Sequence, residues 1–282
     1  MKYPARRLTP LRYPGGKAQL AGFFVNVIEM NGIADGVYVE PFAGGAGVGI
    51  ALLLGEHVDS IFINDIDPAV FAFWTSVVDH NAELCERILS VPLTIEEWVR
   101  QRSIYAQGLK VGTVALGFAM FYLNRTNRSG IMNGGVIGGK NQKGTWKIDA
   151  RFNRDDLVMR IRRIGRYRSR IHVSKDDALL FLREILKAPP PRTLLYLDPP
   201  YYEKGQHLYT NYYRHDDHVE IASVLRDAAR PWVVSYDDHA AIRKLYKGFR
   251  HTHYALAYSA RERRQGSEVL FVSADLRMPP TL

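Results

Sequence analysis

Apolar residues recur along this chain in two rhythms. Short runs bounded by turn formers, at Val37 to Phe42, Ser60 to Asn64, Ile171 to Ser174, Thr193 to Leu197, Trp232 to Tyr236 and Glu268 to Ser273, read as strands with buried faces. Between them, apolar positions fall at helical spacing. Leu20, Phe23, Phe24, Val27 and Ile28 predict a helix within Leu11 to Met30, and Val48 to Leu54 predicts a second. Ala69 to Val78 follows with Pro68 in its first turn, and Ala178 to Leu186 and Val219 to Ala229 complete the series. Strands alternating with helices specify an α/β fold, a doubly wound and mostly parallel sheet.

The alternation stops between about 80 and 168. That stretch offers helices at Thr94 to Gln107 and Val114 to Leu123, then a Gly- and Asn-rich segment from Asn124 to Gly144, then a basic helix from Arg154 to Arg170. Because sheet elements flank it on both sides, an inserted, mainly helical domain (80–168) within a sheet domain (1–79 and 169–282) fits better than two consecutive domains.

Composition narrows the class. The hydrophobic fraction of 46% supports a full core, and the net charge of +9 favours a polyanionic partner such as nucleic acid. A single cysteine, Cys85, excludes an internal disulfide framework and a Cys-rich zinc site; its helical surroundings predict a small core residue. No apolar run reaches membrane-spanning length and the N-terminus lacks a signal-peptide core, so a cytoplasmic protein is expected. The nine histidines form no HExxH or clustered ligand set, and no metal is expected; His215 and His218, around Asp216 and Asp217, read as a solvated turn or helix start.

Residues 196 to 202 concentrate chemistry. Tyr196-Leu197-Asp198-Pro199-Pro200-Tyr201-Tyr202 ends an apolar strand in an acid, two prolines that stop any ladder, and aromatic rings. Such a strand end presents a carboxylate, a stiff carbonyl and a flat ring at one point, which suits a planar heterocycle with an exocyclic amine. Val39-Glu40-Pro41-Phe42-Ala43-Gly44-Gly45-Ala46-Gly47 joins a strand to a helix, where glycines allow close approach of a ligand to the helix N-terminus. Asp65 ends the following strand, at the place where nucleotide-binding sheets set an acid on ribose hydroxyls.

Tyr13-Pro14-Gly15-Gly16-Lys17, Glu40-Pro41-Phe42-Ala43-Gly44-Gly45, Asn64-Asp65-Ile66-Asp67 and Asp198-Pro199-Pro200-Tyr201 occur in this order over essentially the whole chain. Together they resemble the Dam-like family of DNA N6-adenine methyltransferases. The resemblance implies a Rossmann-like methyltransferase domain that uses S-adenosylmethionine. It assigns cofactor contacts to Tyr13, Lys17, Glu40, Pro41, Phe42, Gly44, Asp65, Asp177 and Asp198, with Asp176 competing for the place of Asp177. Tyr13 stands where the family often has Trp. Catalysis falls to Asp198, Pro199, Pro200 and Tyr201. The insert then resembles the family's target-recognition segment, with Asn124, Arg125, Asn127, Arg128 and Lys140 as DNA contacts. Arg160, Arg162, Arg163, Arg166, Arg168 and Arg170 would clamp phosphates, and the tyrosine-rich tract from Tyr201 to Tyr213 would wedge or stack nucleotides. The implied partner is double-stranded DNA, for which a monomer suffices.

The expected reaction is methyl transfer to N6 of a flipped adenine, with Asp198 and the Pro199 carbonyl accepting the amine hydrogens and Tyr201 stacking on the base. Three rivals stay open on sequence alone. Cytosine N4 methylation uses the same geometry but more often a Ser in place of the Asp. Methylation of RNA or of a protein glutamine is the second, and a DNA-binding module without catalysis is the third.

Overall fold

The computed structural model describes residues 8–12, 17–202, 213–256 and 266–279. Strands β1 (Val37–Glu40), β2 (Ser60–Asn64), β3 (Ile171–Ser174), β4 (Thr193–Leu197), β5 (Trp232–Asp237), β6 (Arg250–Leu256) and β7 (Gly266–Val272) form one sheet of order β3-β2-β1-β4-β5-β7-β6. The pairings among β1 to β5 are parallel, and β7 runs antiparallel between β5 and β6.

Strand residues alternate between two cores, as the pleat requires. Tyr38, Leu194, Tyr196, Val233 and Leu270 pack into the first, and Val39, Leu195, Leu197, Val234 and Phe271 into the second. The first core lies under α1 (Ala21–Met30), α2 (Gly47–Leu54) and α3 (Pro68–Asp79). The second lies under α8 (Ala178–Lys187), α9 (His215–Arg226) and α10 (Ala240–Leu245). Helices therefore cover both faces, and the sheet is doubly wound as expected.

The stretch from 80 to 168 supplies α4 (Asn81–Ser90), α5 (Ile95–Ala106), α6 (Thr113–Thr126) and α7 (Arg154–Gly165). These helices extend the first core outward from α3. Phe73 of α3 stacks on Phe121 of α6 with ring centroids 5.8 Å apart, and Phe152 meets Phe121 edge-on at 5.6 Å. Gly117 lets the two helices touch, since a Cβ there would lie 2.5 Å from the Ala72 carbonyl oxygen. Cys85 is buried in this layer.

Several elements depart from their expected bounds. The first helix is preceded by a 3-10 turn, Lys17–Leu20, and α7 stops at Gly165, ahead of a separate turn at Arg168–Arg170. Two elements carried no apolar run. β6 is an edge strand with Arg250, His251 and His253 exposed, so its pattern is polar. The short α10 buries Ile242 alone among its side chains. Among the described residues, no helix is long and apolar enough to cross a membrane.

Candidate active site

Strand parity assembles the site. Glu40, Asp198, Ser235 and Glu268 continue the alternation of Tyr38, Tyr196, Val233 and Leu270, so all four fall on the side of the first core. Parallel β1 and β4 bring Glu40 and Asp198 to the same end of the sheet, and antiparallel β7 delivers Glu268 opposite Asp237 of β5. Lys17 enters from the 3-10 turn before α1, with its ammonium buried.

Asp198 Oδ1 accepts a hydrogen bond from Ser235 Oγ at 2.6 Å and pairs with Lys17 Nζ at 3.0 Å. Lys17 Nζ also lies 3.0 Å from Glu268 Oε2. Tyr201 donates to Glu268 Oε1 at 2.8 Å, and the Tyr254 hydroxyl donates to Glu268 Oε2. Tyr196 OH and Ser235 Oγ are 3.0 Å apart, which steadies the serine. Burial alone would pull the Lys17 ammonium down, but Asp198 and Glu268 outweigh it and hold it above its usual range. Asp198 keeps 26% of its side-chain surface exposed, so a ligand can reach it. Enclosure still lifts its carboxyl above the usual range; Lys17 opposes that rise and Glu268 adds to it.

The glycine loop is stitched to the next strand. Asp65 Oδ2 accepts from Gly44 N at 2.8 Å and its Oδ1 from Asp67 N at 3.0 Å, while Trp74 Nε1 donates to the Gly44 carbonyl at 2.9 Å. Burial pushes Asp65 up to about 6. Pro41 offers its carbonyl to Asn64 Nδ2 at 3.1 Å. The Phe42 ring meets Tyr213 edge-on at 5.6 Å. Asp177 caps α8 by accepting from Leu179 N and Leu180 N. Burial, and then the carboxylates of Asp177, Asp217 and Asp65, raise the Tyr213 phenol. Tyr213 thus stands beside Phe42, with carboxylates near enough to disfavour its phenolate. Tyr13 and the tract from 203 to 212 lie outside the described residues.

Glu40 is buried beneath the loop, where its Oε1 accepts from Tyr38 OH at 3.0 Å and Gly49 N at 3.2 Å. Its Oε2 is buried with no partner among the described residues. Burial pushes Glu40 from 4.5 up to about 8. Folding therefore takes up a proton between those values: the stabilisation is complete below about 4.5 and is lost as pH rises through about 8. Glu40→Gln removes this loss. Melting curves from pH 5 to pH 9 should show the variant gaining about 2–5 kcal/mol relative to wild type across that range. A parallel pH dependence of the two proteins would refute the assignment.

The residues expected to touch DNA divide into two sets. Asn124 is buried; its Oδ1 accepts from Arg12 N at 2.7 Å, and its Nδ2 donates to Arg12 O at 2.8 Å and Gly130 O at 3.0 Å. Asn127 is also buried, accepting from Trp98 Nε1 at 2.7 Å and donating to Ile131 O at 2.9 Å and Met132 O at 3.0 Å. Both amides shape the loop from within, and neither edge faces solvent. Arg125 is half-buried, its Nε bound to Arg151 O at 2.7 Å, and burial followed by repulsion from Arg12 pulls its guanidinium down to about 9. Arg128 and Lys140 are exposed. Gly130 adopts φ +75°, and a Cβ there would meet Arg12 O at 2.4 Å, so the loop closes tightly on Arg12.

Part of the arginine run is engaged by the protein's own backbone, while Arg162, Arg166 and Arg168 are exposed. Arg163 reaches Leu54 O at the end of α2, and Arg170 binds Val58 O at 2.8 Å and Asp59 O, just ahead of β2. These carbonyls mark the strand-entry edge of the sheet, opposite the end that carries Asp198. Arg160 pairs with Asp156 at 2.5 Å and donates to Thr9 O at 3.2 Å. Three arginines of the run thus fasten α7 and the turn after it to neighbouring backbone. His218, expected in a solvated turn or helix start, does lie in the first turn of α9, but it is buried there with Nδ1 3.1 Å from Tyr236 OH, and burial pulls its ring down to about 4.

Sequence reasoning missed Ser235, Tyr254 and Glu268. The available signal was parity: an acid or hydroxyl inside an apolar strand, in step with residues that face the core.

Residues 13–259 match the model of the D12 class N6 adenine-specific DNA methyltransferases. The retron Ec67 DNA adenine methylase of Escherichia coli is 27% identical over 255 residues, covering 83% of this chain and 82% of the relative. Among solved structures, an rRNA methyltransferase from Streptomyces viridochromogenes aligns at TM-score 0.40 and 13% identity, covering 96% of this chain and 93% of its own. A SAM-dependent methyltransferase from Neisseria gonorrhoeae aligns at TM-score 0.34 and 14% identity, covering 93% of this chain and 68% of its own. With a match extending from the first motif past the catalytic one, this chain belongs to the D12 class of N6 adenine-specific DNA methyltransferases.

Proposed function

We propose that the chain methylates N6 of an adenine flipped out of double-stranded DNA, with S-adenosylmethionine as methyl donor. The observation that carries the reading is the reachable Asp198 carboxylate at the end of β4, oriented by Ser235 and Lys17 and followed by two prolines and a buried Tyr201.

The residues fit a cationic nucleoside ligand. Asp198 and Glu268 set two carboxylates against one ammonium, Lys17, and Asp65 adds a third carboxylate at the glycine loop. Glu40 Oε2 is a buried polar atom without a partner among the described residues. Phe42, Gly44, Asp65 and Asp177, with Lys17 and Asp198, would hold the ligand, and Tyr13 joins the set on the strength of the family motif. When bound, S-adenosylmethionine supplies a methyl group activated by its sulfonium charge.

The protein's part is positioning and charge. Asp198 and the Pro199 carbonyl accept the two N6 hydrogens, drawing the amine from planar toward tetrahedral and exposing its lone pair. As the N6–methyl bond forms and the sulfur–methyl bond breaks to leave a neutral thioether, positive charge on nitrogen would be met by the Asp198 carboxylate. Asp198 then takes the departing proton, a task helped by a carboxyl whose basicity is already raised. Pro199 and Pro200 stiffen the turn that aims the carbonyl. Tyr201, its hydroxyl bound to Glu268, presents a ring against which the base stacks.

We assign 80–168 to target recognition, with Arg128 and Lys140 as its outward DNA contacts and Asn124, Arg125 and Asn127 as the frame behind them. The test is incubation of the protein and S-adenosylmethionine with unmethylated duplex DNA, followed by nucleoside analysis. N6-methyladenine is expected, together with a rise in 2-aminopurine fluorescence when that analogue replaces the target adenine. Methylation confined to RNA or to single strands would overturn the duplex substrate, and unchanged fluorescence would overturn base flipping.

A further inference from the structure

Glu268 sits within β7, 1% exposed, immediately ahead of the apolar residues Val269 to Val272. A buried carboxylate needs charge-matched, hydrogen-bonded company, and the groups around it supply donors: the Lys17 ammonium, the Tyr201 hydroxyl and the Tyr254 hydroxyl. Lys17 bridges Glu268 and Asp198 at equal distances of 3.0 Å. Among the described residues, this cluster thus sets one ammonium against two carboxylates before any ligand arrives.

We propose that Glu268 is a positioning residue that balances the charge of Lys17, so that the Asp198 carboxylate is left to face the cationic methyl donor and the target amine. The proposal rests on the S-adenosylmethionine reading above and deepens it. With a sulfonium in place, two cations match two carboxylates. Without Glu268, the lysine and the sulfonium compete for Asp198 alone, and the pocket repels the charged donor. Lys17, in turn, tethers both carboxylates at one point and keeps them from repelling each other.

The consequence is selective for charge. S-adenosylhomocysteine has the same nucleoside and amino-acid parts as the donor but no sulfonium, so the ratio of the two affinities reports the pocket's charge and cancels general damage. Calorimetric titration of both molecules into four proteins tests this. Glu268→Gln keeps size, removes the charge and turns one acceptor into a donor; because damage from that turned amide cancels in the ratio, the preference for the charged donor should fall roughly tenfold, the scale of one unit-charge interaction in a partly wet site. Lys17→Met should raise that preference by about the same factor, whatever it does to absolute affinity. The double variant should return the ratio to within about threefold of wild type.

A ratio unmoved in Glu268→Gln, or moved in the same direction in both single variants, overturns the role of Glu268 while leaving the cofactor reading standing. Failure of wild-type protein to bind either molecule overturns the cofactor reading and this proposal with it. If Glu268→Gln does not fold, Lys17→Met still decides, since an unmoved ratio there removes the charge argument.

Discussion

Replacing Asp198 by Asn should reduce methyl transfer by at least a hundredfold, and up to about a thousandfold, with the fold intact. The amide preserves volume but carries no charge and turns one acceptor atom into a donor. With its oxygen at the Oδ1 position it still accepts from Ser235 and meets Lys17, so the strand end keeps its shape, and its NH2 then faces the target amine, where a hydrogen points at a hydrogen. The loss should therefore appear in the single-turnover rate with a smaller change in DNA affinity, because the carboxylate acts on the reacting nitrogen. Retention of more than about a third of the wild-type rate would remove Asp198 from the reaction; a pure loss of DNA binding would make it a docking group.

The second large effect concerns the scaffold. Gly117→Val should lower stability by about 3 kcal/mol or more, equivalent to a Tm drop of roughly 6–12 °C. A Cβ at this position would lie 2.5 Å from Ala72 O, 2.7 Å from Ala72 C and 2.8 Å from Ser76 Oγ. Two of those atoms are backbone, so α6 must move off α3 and take the stacked Phe121 with it. Gly22→Ala is the contrasting control: Gly22 lies on the exposed side of α1, and a methyl group added there would meet nothing within 4 Å. Helix propensity alone should then raise stability by about 0.5–1 kcal/mol. Similar melting temperatures for the two variants would show that the α3–α6 contact yields more easily than its geometry implies.

Much of the sheet was legible because its inner strands are buried on both faces. Ser60 to Asn64 and Thr193 to Leu197 read as short apolar runs, and their observed bounds coincide with that pattern; Ile171 to Ser174, at one edge, keeps its expected bounds with His172 exposed. β6 was illegible for the complementary reason. At the sheet edge it alternates polar and half-buried residues, and no run forms. The site divides in the same way. Asp198 and Asp65 stand at strand ends followed by turn formers, where a local pattern marks them. Glu268 is joined to Lys17 only by tertiary pairing across 251 positions of sequence, and no local pattern carries that. Asn124 and Asn127 show the converse error. Their side chains suit adenine edges in the abstract, yet the same donors and acceptors suit a turn's own carbonyls, and only burial tells the two uses apart.

The inward placement of Asn124 and Asn127 also bears on how such a protein can change its target. Two buried amides maintain the loop's form, whereas the Arg128 and Lys140 side chains are exposed. On the proposed recognition role, the outer residues can be exchanged without rebuilding the amides that support the loop. Transplanting the whole segment is a different matter: a borrowed loop must arrive with an amide that fits Arg12 and another that fits Trp98, or it will lose its shape.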